Sequence, residues 1–297
     1  MSRSFSFLVN RSSGSGTGPG AAIPVAGLLR EAGATVEVSY SPGPRATLEA
    51  IGHAADRGDV VVSVGGDGML SSIAGEVSRL GGTLGIIPSG RGNDFARMIG
   101  LDPAPEAIAR TLLEAEPVAT DLIKATLPGG AARTVAGSVY AGVDAQTADL
   151  VNQIRWLPRR LQYPAAAVTS LARFVPSSFS MVIDGTEHTV TAACVVVANS
   201  GYYGSGMRIA PSASIDDGEL DVVIIGAFGR LDMLRAFPKV YDGSHVGLDQ
   251  VQVLRGKSIT VVARPAVALG GDGEPLGMLG SDALRVEVDA GALRLLR

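Results

Sequence analysis

Three glycine-rich segments hold most of the chemistry visible in the sequence: Asn10-Arg11-Ser12-Ser13-Gly14-Ser15-Gly16, Gly65-Gly66-Asp67-Gly68 and Pro88-Ser89-Gly90-Arg91-Gly92-Asn93-Asp94. Glycine has no Cβ, so its backbone can come close to a ligand, and the N–H groups then donate to anionic oxygen, phosphate above all. Asp67 adds a carboxylate able to act through Mg2+ on the same phosphates. One glycine loop after a strand is more often a turn than a ligand site. Three at one edge of one sheet favour binding. None of them satisfies G-x-G-x-x-G or G-x-x-x-x-G-K-[ST], so a ligand there is not held by the commoner nucleotide motifs.

The elements that must position these loops follow from hydrophobic periodicity. Phe5–Val9, Thr35–Ser39, Asp59–Val64 and Leu84–Ile87 read as strands, and Ala21–Glu31, Thr47–Arg57, Leu70–Leu80 and Asp94–Ile99 as helices. The β-branched run 59–64 suits a strand covered on both faces of a parallel sheet. Strand, loop and helix repeated in this way predict a doubly wound α/β domain, with ligand loops at the carboxyl ends of the strands. Beyond about Asp121 the pattern changes. Val135–Tyr140, Phe179–Ile183, Thr189–Ala198, Leu220–Ile225, Val251–Leu254, Ser258–Val262 and Leu284–Val288 read as strands, with turn signals at Asp184-Gly185, Asp217-Gly218 and Arg255-Gly256 and one helix at Leu161–Val175. The expected fold is therefore an N-terminal α/β domain, 1–122, followed by a mostly antiparallel β-sandwich-like domain, 123–297.

Composition limits the function classes. The 297 residues are long for one core, and 46% hydrophobic with 18% charged residues is globular composition. Arg and Lys total 25 against 29 Asp and Glu, a net charge of -4, which gives no basic footprint for nucleic acid. A single cysteine, Cys194, makes neither an internal disulfide nor a cysteine metal cluster, and reads as a small buried hydrophobe in a reducing compartment. The sequence shows no signal peptide and no unbroken apolar stretch of membrane-spanning length, so a cytoplasmic location is expected.

The ordered motifs resemble the diacylglycerol-kinase catalytic fold, whose superfamily includes bacterial lipid kinases, sphingosine kinases and ceramide kinases and is distantly akin to NAD kinases. GGDG at 65–68 is followed by P-S-G-R-G-N-D-F-A-R from Pro88. Val197-Ala198-Asn199, Tyr202–Pro211 and Asp217-Gly218-Glu219-Leu220-Asp221-Val222 resemble the bacterial second-domain signature, and Gly271-Asp272-Gly273-Glu274-Pro275 the D-G-E motif. The resemblance runs from about Asn10 to Leu295. It implies an ATP- and Mg2+-dependent lipid kinase of phospholipid metabolism, with diacylglycerol as the family's default substrate. Asn10, Ser13, Gly14, Gly65, Gly66, Asp67 and Gly68 would hold ATP, with Gly90, Asn93 and Asp94 closing the same cleft. Asp272 would be the general base, Glu274 would assist with the metal, and Asp121 would belong to the catalytic metal network. The carboxylate of Asp217 and the carbonyls of Ser214 and Glu219 would bind a structural Mg2+; read from residues alone, Asp216-Asp217-Gly218 is equally a hairpin turn.

The chain departs from G-G-D-G-T-x-N-E at Met69, Ser71 and Ser72, and carries Arg91 and Arg11 where threonine and proline are usual in the family. These changes remove polar groups near the nucleotide and bear on nucleotide preference and rate, while Arg91 could approach a phosphate. Two other readings remain at this stage: an NAD kinase-like enzyme, and a catalytically weak lipid- or nucleotide-binding module. The expected partner is a lipid at a membrane surface, at the inner face of the membrane, and a homodimer is compatible with the sequence. Arg155, Trp156, Pro158, Arg159 and Arg160 form an aromatic-cationic segment suited to a headgroup interface; its plainer reading is a packed tryptophan with solvated arginines.

Overall fold

A computed structural model describes residues 3–10, 18–40, 43–142, 175–227 and 229–297. The helix expected over 161–175 lies outside the described residues, apart from Val175. Two compact units emerge, Met1–Leu122 with Ala290–Arg297, and Ile123–Asp289. The expected second domain, 123–297, therefore differs in its last segment, which returns to the first unit. The physical reason is a parallel pairing of Arg294 and Leu295 with Thr83 and Leu84.

In the first unit β1 (Ser4–Val9), β2 (Thr35–Tyr40), β3 (Val60–Gly65) and β4 (Thr83–Pro88) form a parallel sheet in the order β2-β1-β3-β4. Helices α1 (Gly18–Glu31), α2 (Pro44–Arg57) and α3 (Asp67–Arg79) alternate with these strands, and α4 (Asp94–Met98) and α5 (Pro105–Glu114) follow β4. Every residue of β3 is buried, as its β-branched run requires. Phe7, Val9, Val62 and Val64 pack with Val25 and Leu29 of α1 and Ile108 and Leu112 of α5. Helix α2 ends at Gly58, whose φ of 73° lets its N–H reach the carbonyls of Ala54 and Ala55. The chain passes from β1 out to β2 and back across to β3. The carboxyl ends of β1 and β3 thus flank the topological switch point, where such sheets receive ligands.

The second unit is a β-sandwich-like domain built around one long strand. The strands are β5 (Pro117–Thr126, entering from the first unit), β6 (Ala132–Val135), β7 (Ser138–Gly142), β8 (Ser177–Ile183), β9 (Thr186–Ala198), β10 (Leu220–Gly226), β11 (Val251–Gly256), β12 (Ser258–Arg264), β13 (Val267–Gly271), β14 (Glu274–Leu279) and β15 (Leu284–Leu296). The first half of β9, Thr186–Ala192, pairs with β8, which continues to β12 and β15. Its second half, Cys194–Ala198, lies between β7 and β10. One strand therefore serves both layers. Its first half alternates with solvent, and its second half is buried throughout.

Phe179, Met181 and Ile183 of β8 face Val195, Val197, Val222, Val261 and Leu269 in the core. The other side of the β9–β10 layer is covered by Tyr203, Met207, Ile209, Met233 and Val240. The last two come from α6 (Arg230–Ala236) and α7 (Lys239–Asp242).

Two expectations change here. The strand expected over Val135–Tyr140 is two strands, because the amides of Ala136 and Gly137 leave the ladder to donate to a carboxylate of Asp272. Arg255-Gly256 is no turn; it closes β11, with Arg255 directly opposite Asp221 on β10.

Phe179 is fully buried at the centre of this core. Phe179→Ala is expected to lower unfolding free energy by about 3–5 kcal/mol, read from the denaturant midpoint. An unchanged midpoint would show that the layers do not close on this ring.

Candidate functional site

In the first unit, the carboxyl ends of β1, β3 and β4 lie at one level. The Asn10 amide donates to the Val64 carbonyl (3.1 Å), and the Ser89 amide donates to the Gly65 carbonyl (2.9 Å). Ser13 and Gly14 lie outside the described residues. The other two loops touch through bare glycine backbone. A Cβ built on Gly90 would fall 2.4 Å from Gly66 Cα, and one on Gly66 would fall 3.2 Å from Gly90 Cα. No side chain fits between them.

Asp67 ties the same two loops by hydrogen bonds. Its Oδ2 accepts from the Asp94 amide and its Oδ1 from the Phe95 amide, each at 3.1 Å. The carboxylate thereby satisfies the first amides of α4, which otherwise have no partner within the helix. Burial pushes the Asp67 pKa up, although the residue keeps some exposure, and the hydrogen bonds from the Phe95 and Asp94 amides oppose that rise. Asn93 adopts φ 52°, tolerable for asparagine, and its Oδ1 accepts from the Gly90 amide at 2.7 Å. Asp94 is buried, and both its carboxylate and that of Asp67 face Gly92: a Cβ there would lie 2.7 Å from Asp94 Oδ2 and 3.2 Å from Asp67 Oδ2.

Helix α3 begins at Asp67, so the amides of its first turn, which have no acceptor within the helix, lie beside Gly66 and Gly68. A helix N-terminus of this length attracts anionic oxygen. The Met69 thioether lies over Gly65, where a Cβ would be 2.7 Å from its sulfur. Ser72 Oγ turns back to donate to the Gly68 carbonyl at 3.1 Å, and Ser71 is buried. Asp121 is buried, and its Oδ1 accepts from the Gly291 amide at 2.6 Å, fastening the middle of β5 to the returning chain.

In the second unit Asp272 and Gly273 form the two-residue turn between β13 and β14, with φ 45° and 82°. The Asp272 carboxylate accepts three consecutive backbone amides. Oδ2 takes those of Ala136 and Gly137, each at 3.0 Å, and Oδ1 takes that of Ser138 at 2.8 Å. Gly137 must be glycine for this, since a Cβ would stand 2.5 Å from Asp272 Oδ1. The carbonyl side of the same segment is held too: Asn199 Nδ2 donates to the Ala136 carbonyl (2.9 Å), and the Asn199 and Ser200 amides donate to the Gly137 carbonyl (2.8 and 3.0 Å). The Tyr140 hydroxyl accepts from the Gly273 amide at 3.0 Å. Glu274 is exposed at the start of β14.

At the expected Mg2+ site, the Asp217 carboxylate with the carbonyls of Ser214 and Glu219, the acidic side chains meet an arginine. Arg255 reaches into this place and pairs with the carboxylates of Asp217, Glu219 (3.1 Å) and Asp221 (3.0 Å). The Glu219 amide donates to Asp217 Oδ1 at 3.1 Å, and the Ser214 hydroxyl donates to Asp216 at 2.6 Å. The guanidinium thus already sets positive charge against the Asp217 carboxylate. Among the described residues, no group of three or more His, Cys, Asp or Glu side chains is placed to hold a metal ion. Sequence reading missed Arg255 because the pair Arg-Gly looks like a turn; the one available signal was the run of acidic residues at 216–221. The aromatic-cationic segment at 155–160 lies outside the described residues. Among the described residues no helix is long and apolar enough to cross a membrane.

Comparison with known proteins supplies the family. Residues 4–125 match the diacylglycerol kinase catalytic domain, and residues 137–297 match the YegS C-terminal NAD kinase beta sandwich-like domain. A diacylglycerol kinase of Mycobacterium tuberculosis is 34% identical over 218 residues, which are 73% of this chain and 70% of that protein. A "Probable lipid kinase YegS-like" of Stenotrophomonas maltophilia is 26% identical over 273 residues, 88% of this chain and 85% of its own. The crystal structure of a diacylglycerol kinase from Bacillus anthracis superposes with a TM-score of 0.70 at 17% identity, covering 99% of this chain and 96% of that one, and so shares the fold. With both halves matched in order and a relative of this identity covering most of its length, the chain belongs to the bacterial diacylglycerol-kinase family of lipid kinases.

Proposed function

We propose that the chain transfers the γ-phosphoryl group of ATP to the hydroxyl of a membrane-derived lipid, with diacylglycerol giving phosphatidic acid as the leading substrate. The observation that carries this reading is the contact of Gly66 with Gly90 under the Asp67 cap. Two glycine loops, after β3 and β4, are fixed against each other there, beside the first turn of α3 and next to the switch point of a parallel sheet. In the reaction the lipid oxygen attacks the γ-phosphorus, the bond from that phosphorus to the bridging oxygen breaks, and ADP leaves. The hydroxyl proton passes to the Asp272 carboxylate.

Such a transition state is loose, so the base matters more for orienting the hydroxyl than for strength. A carboxylate fixed by the amides of Ala136, Gly137 and Ser138 suits that task. Mg2+ bound with the nucleotide would supply charge neutralisation on the transferred group. Asn10, Gly65–Gly68, Gly90, Asn93 and Asp94 line or shape the nucleotide loops in this reading, while Asp121 and Glu274 are assigned to the acidic surroundings of the reaction. The membrane surface is the source of the lipid.

Transfer from γ-labelled ATP to a total lipid extract, followed by mass spectrometry of the product, tests the proposal. Labelled phosphatidic acid is the expected product; bound nucleotide with no labelled lipid would leave a binding module instead. Gly90→Ala is expected to weaken nucleotide binding at least tenfold while the protein stays folded, because its methyl group would collide with Gly66 backbone at 2.4 Å. Unchanged affinity in calorimetry would reduce these loops to turns. Asp272→Asn is expected to lower kcat about 10²–10⁴-fold with nucleotide affinity preserved. A variant retaining more than a tenth of wild-type kcat would remove Asp272 from the proton-accepting role.

A further inference from the structure

We infer that Arg255 is a built-in cation that fixes the 212–221 segment, so that this part of the second unit is stabilised independently of any divalent metal. The segment leads into β10 and carries Asp216, Asp217, Glu219 and Asp221 within six positions. Left alone, such carboxylates repel one another, and that of Asp221 is wholly buried. Arg255 answers three of them at once from the adjacent strand. Its Nε meets Asp221 Oδ1 (3.0 Å), its Nη1 meets Glu219 Oε2 (3.1 Å), and its Nη2 meets Asp217 Oδ2.

The geometry is the planar fork of a guanidinium, which directs several N–H groups from one rigid group and which an ammonium cannot imitate. Cross-strand pairing sets its place, since Asp221 and Arg255 stand directly opposite in the β10–β11 register. Remaining acceptors are engaged locally: Ser212 Oγ donates to Asp221 Oδ2 at 2.5 Å, and the Glu219 amide donates to Asp217 Oδ1. The hydrogen bond with Asp217 holds the guanidinium still more firmly in its charged form. Arg255 is thus at once the counter-ion of a buried carboxylate and the clamp on a loop.

The test uses the full chain without nucleotide or lipid, so its outcome does not depend on the kinase reading. Thermal melting is followed in Mg2+ and in chelator at matched ionic strength for wild type, Arg255→Gln, Asp217→Asn and the double variant. Wild type is expected to melt at the same temperature in both conditions. Arg255→Gln should melt lower by about 4 °C or more, and should regain part of that loss in Mg2+, since its carboxylates then lack a cation. The double variant should lose clearly less than the sum of the single losses, the mark of direct coupling. If Arg255→Gln does not fold, Arg255→Lys replaces it, with an intermediate loss expected. Mg2+ stabilising wild type as much as the variant, or additive losses in the double variant, overturns the inference.

Discussion

A recurring interaction organises this protein: an aspartate at a turn or at the start of a helix accepts consecutive backbone amides from a segment distant in sequence. Asp67 takes the amides of Asp94 and Phe95, Asp184 those of Lys257 and Ser258, and Asp272 those of Ala136, Gly137 and Ser138. Each replaces a ladder or a helix turn with charge-assisted hydrogen bonds, worth about 1.5–3 kcal/mol apiece. Each also places a loop with a precision that apolar packing alone does not give. Asp184 does this for a plain hairpin. Asp67 and Asp272 do it for the two segments most charged with chemistry.

Glycine is the complement of that device. Gly137 leaves room for the Asp272 carboxylate, and Gly66 and Gly90 let two loops meet backbone to backbone. The same positions that a phosphate could approach are therefore also those where a side chain would have to displace neighbouring backbone. Function and folding impose one constraint here, and a variant must be judged on binding and stability separately.

Arg255 shows a different solution to crowded negative charge. A divalent ion brings two charges and must be bound from solution, whereas a guanidinium is always charged and covalently in place. Isolated ion pairs at exposed positions contribute about 0–1 kcal/mol. The Asp217 and Glu219 side chains are only 32% and 37% exposed and share one guanidinium, so their pairs act as a network that holds the loop. Asp221 is different, because its side chain has no solvent access and needs a partner.

The sequence by itself determined the two-part architecture, the parallel sheet of the first unit and the identity of the glycine loops. Those signals are local: a β-branched run such as 60–64, alternation such as 177–183, and Asp-Gly pairs where a turn needs positive φ, as at Asp184 and Asp272. It also pointed to membership of a kinase family through motifs whose order is written in the chain. What Asp67 and Asp121 actually hold, why β6 and β7 are separate, and where Ala290–Arg297 belongs were decided only in three dimensions. Each depends on a partner far away in sequence, such as Gly291 for Asp121 at a separation of 170 residues. Arg255 is the clearest case. Nothing local distinguishes an arginine before a glycine in a turn from one that ends a strand; only the β10–β11 register sets it opposite Asp221 and gives three carboxylates their cation.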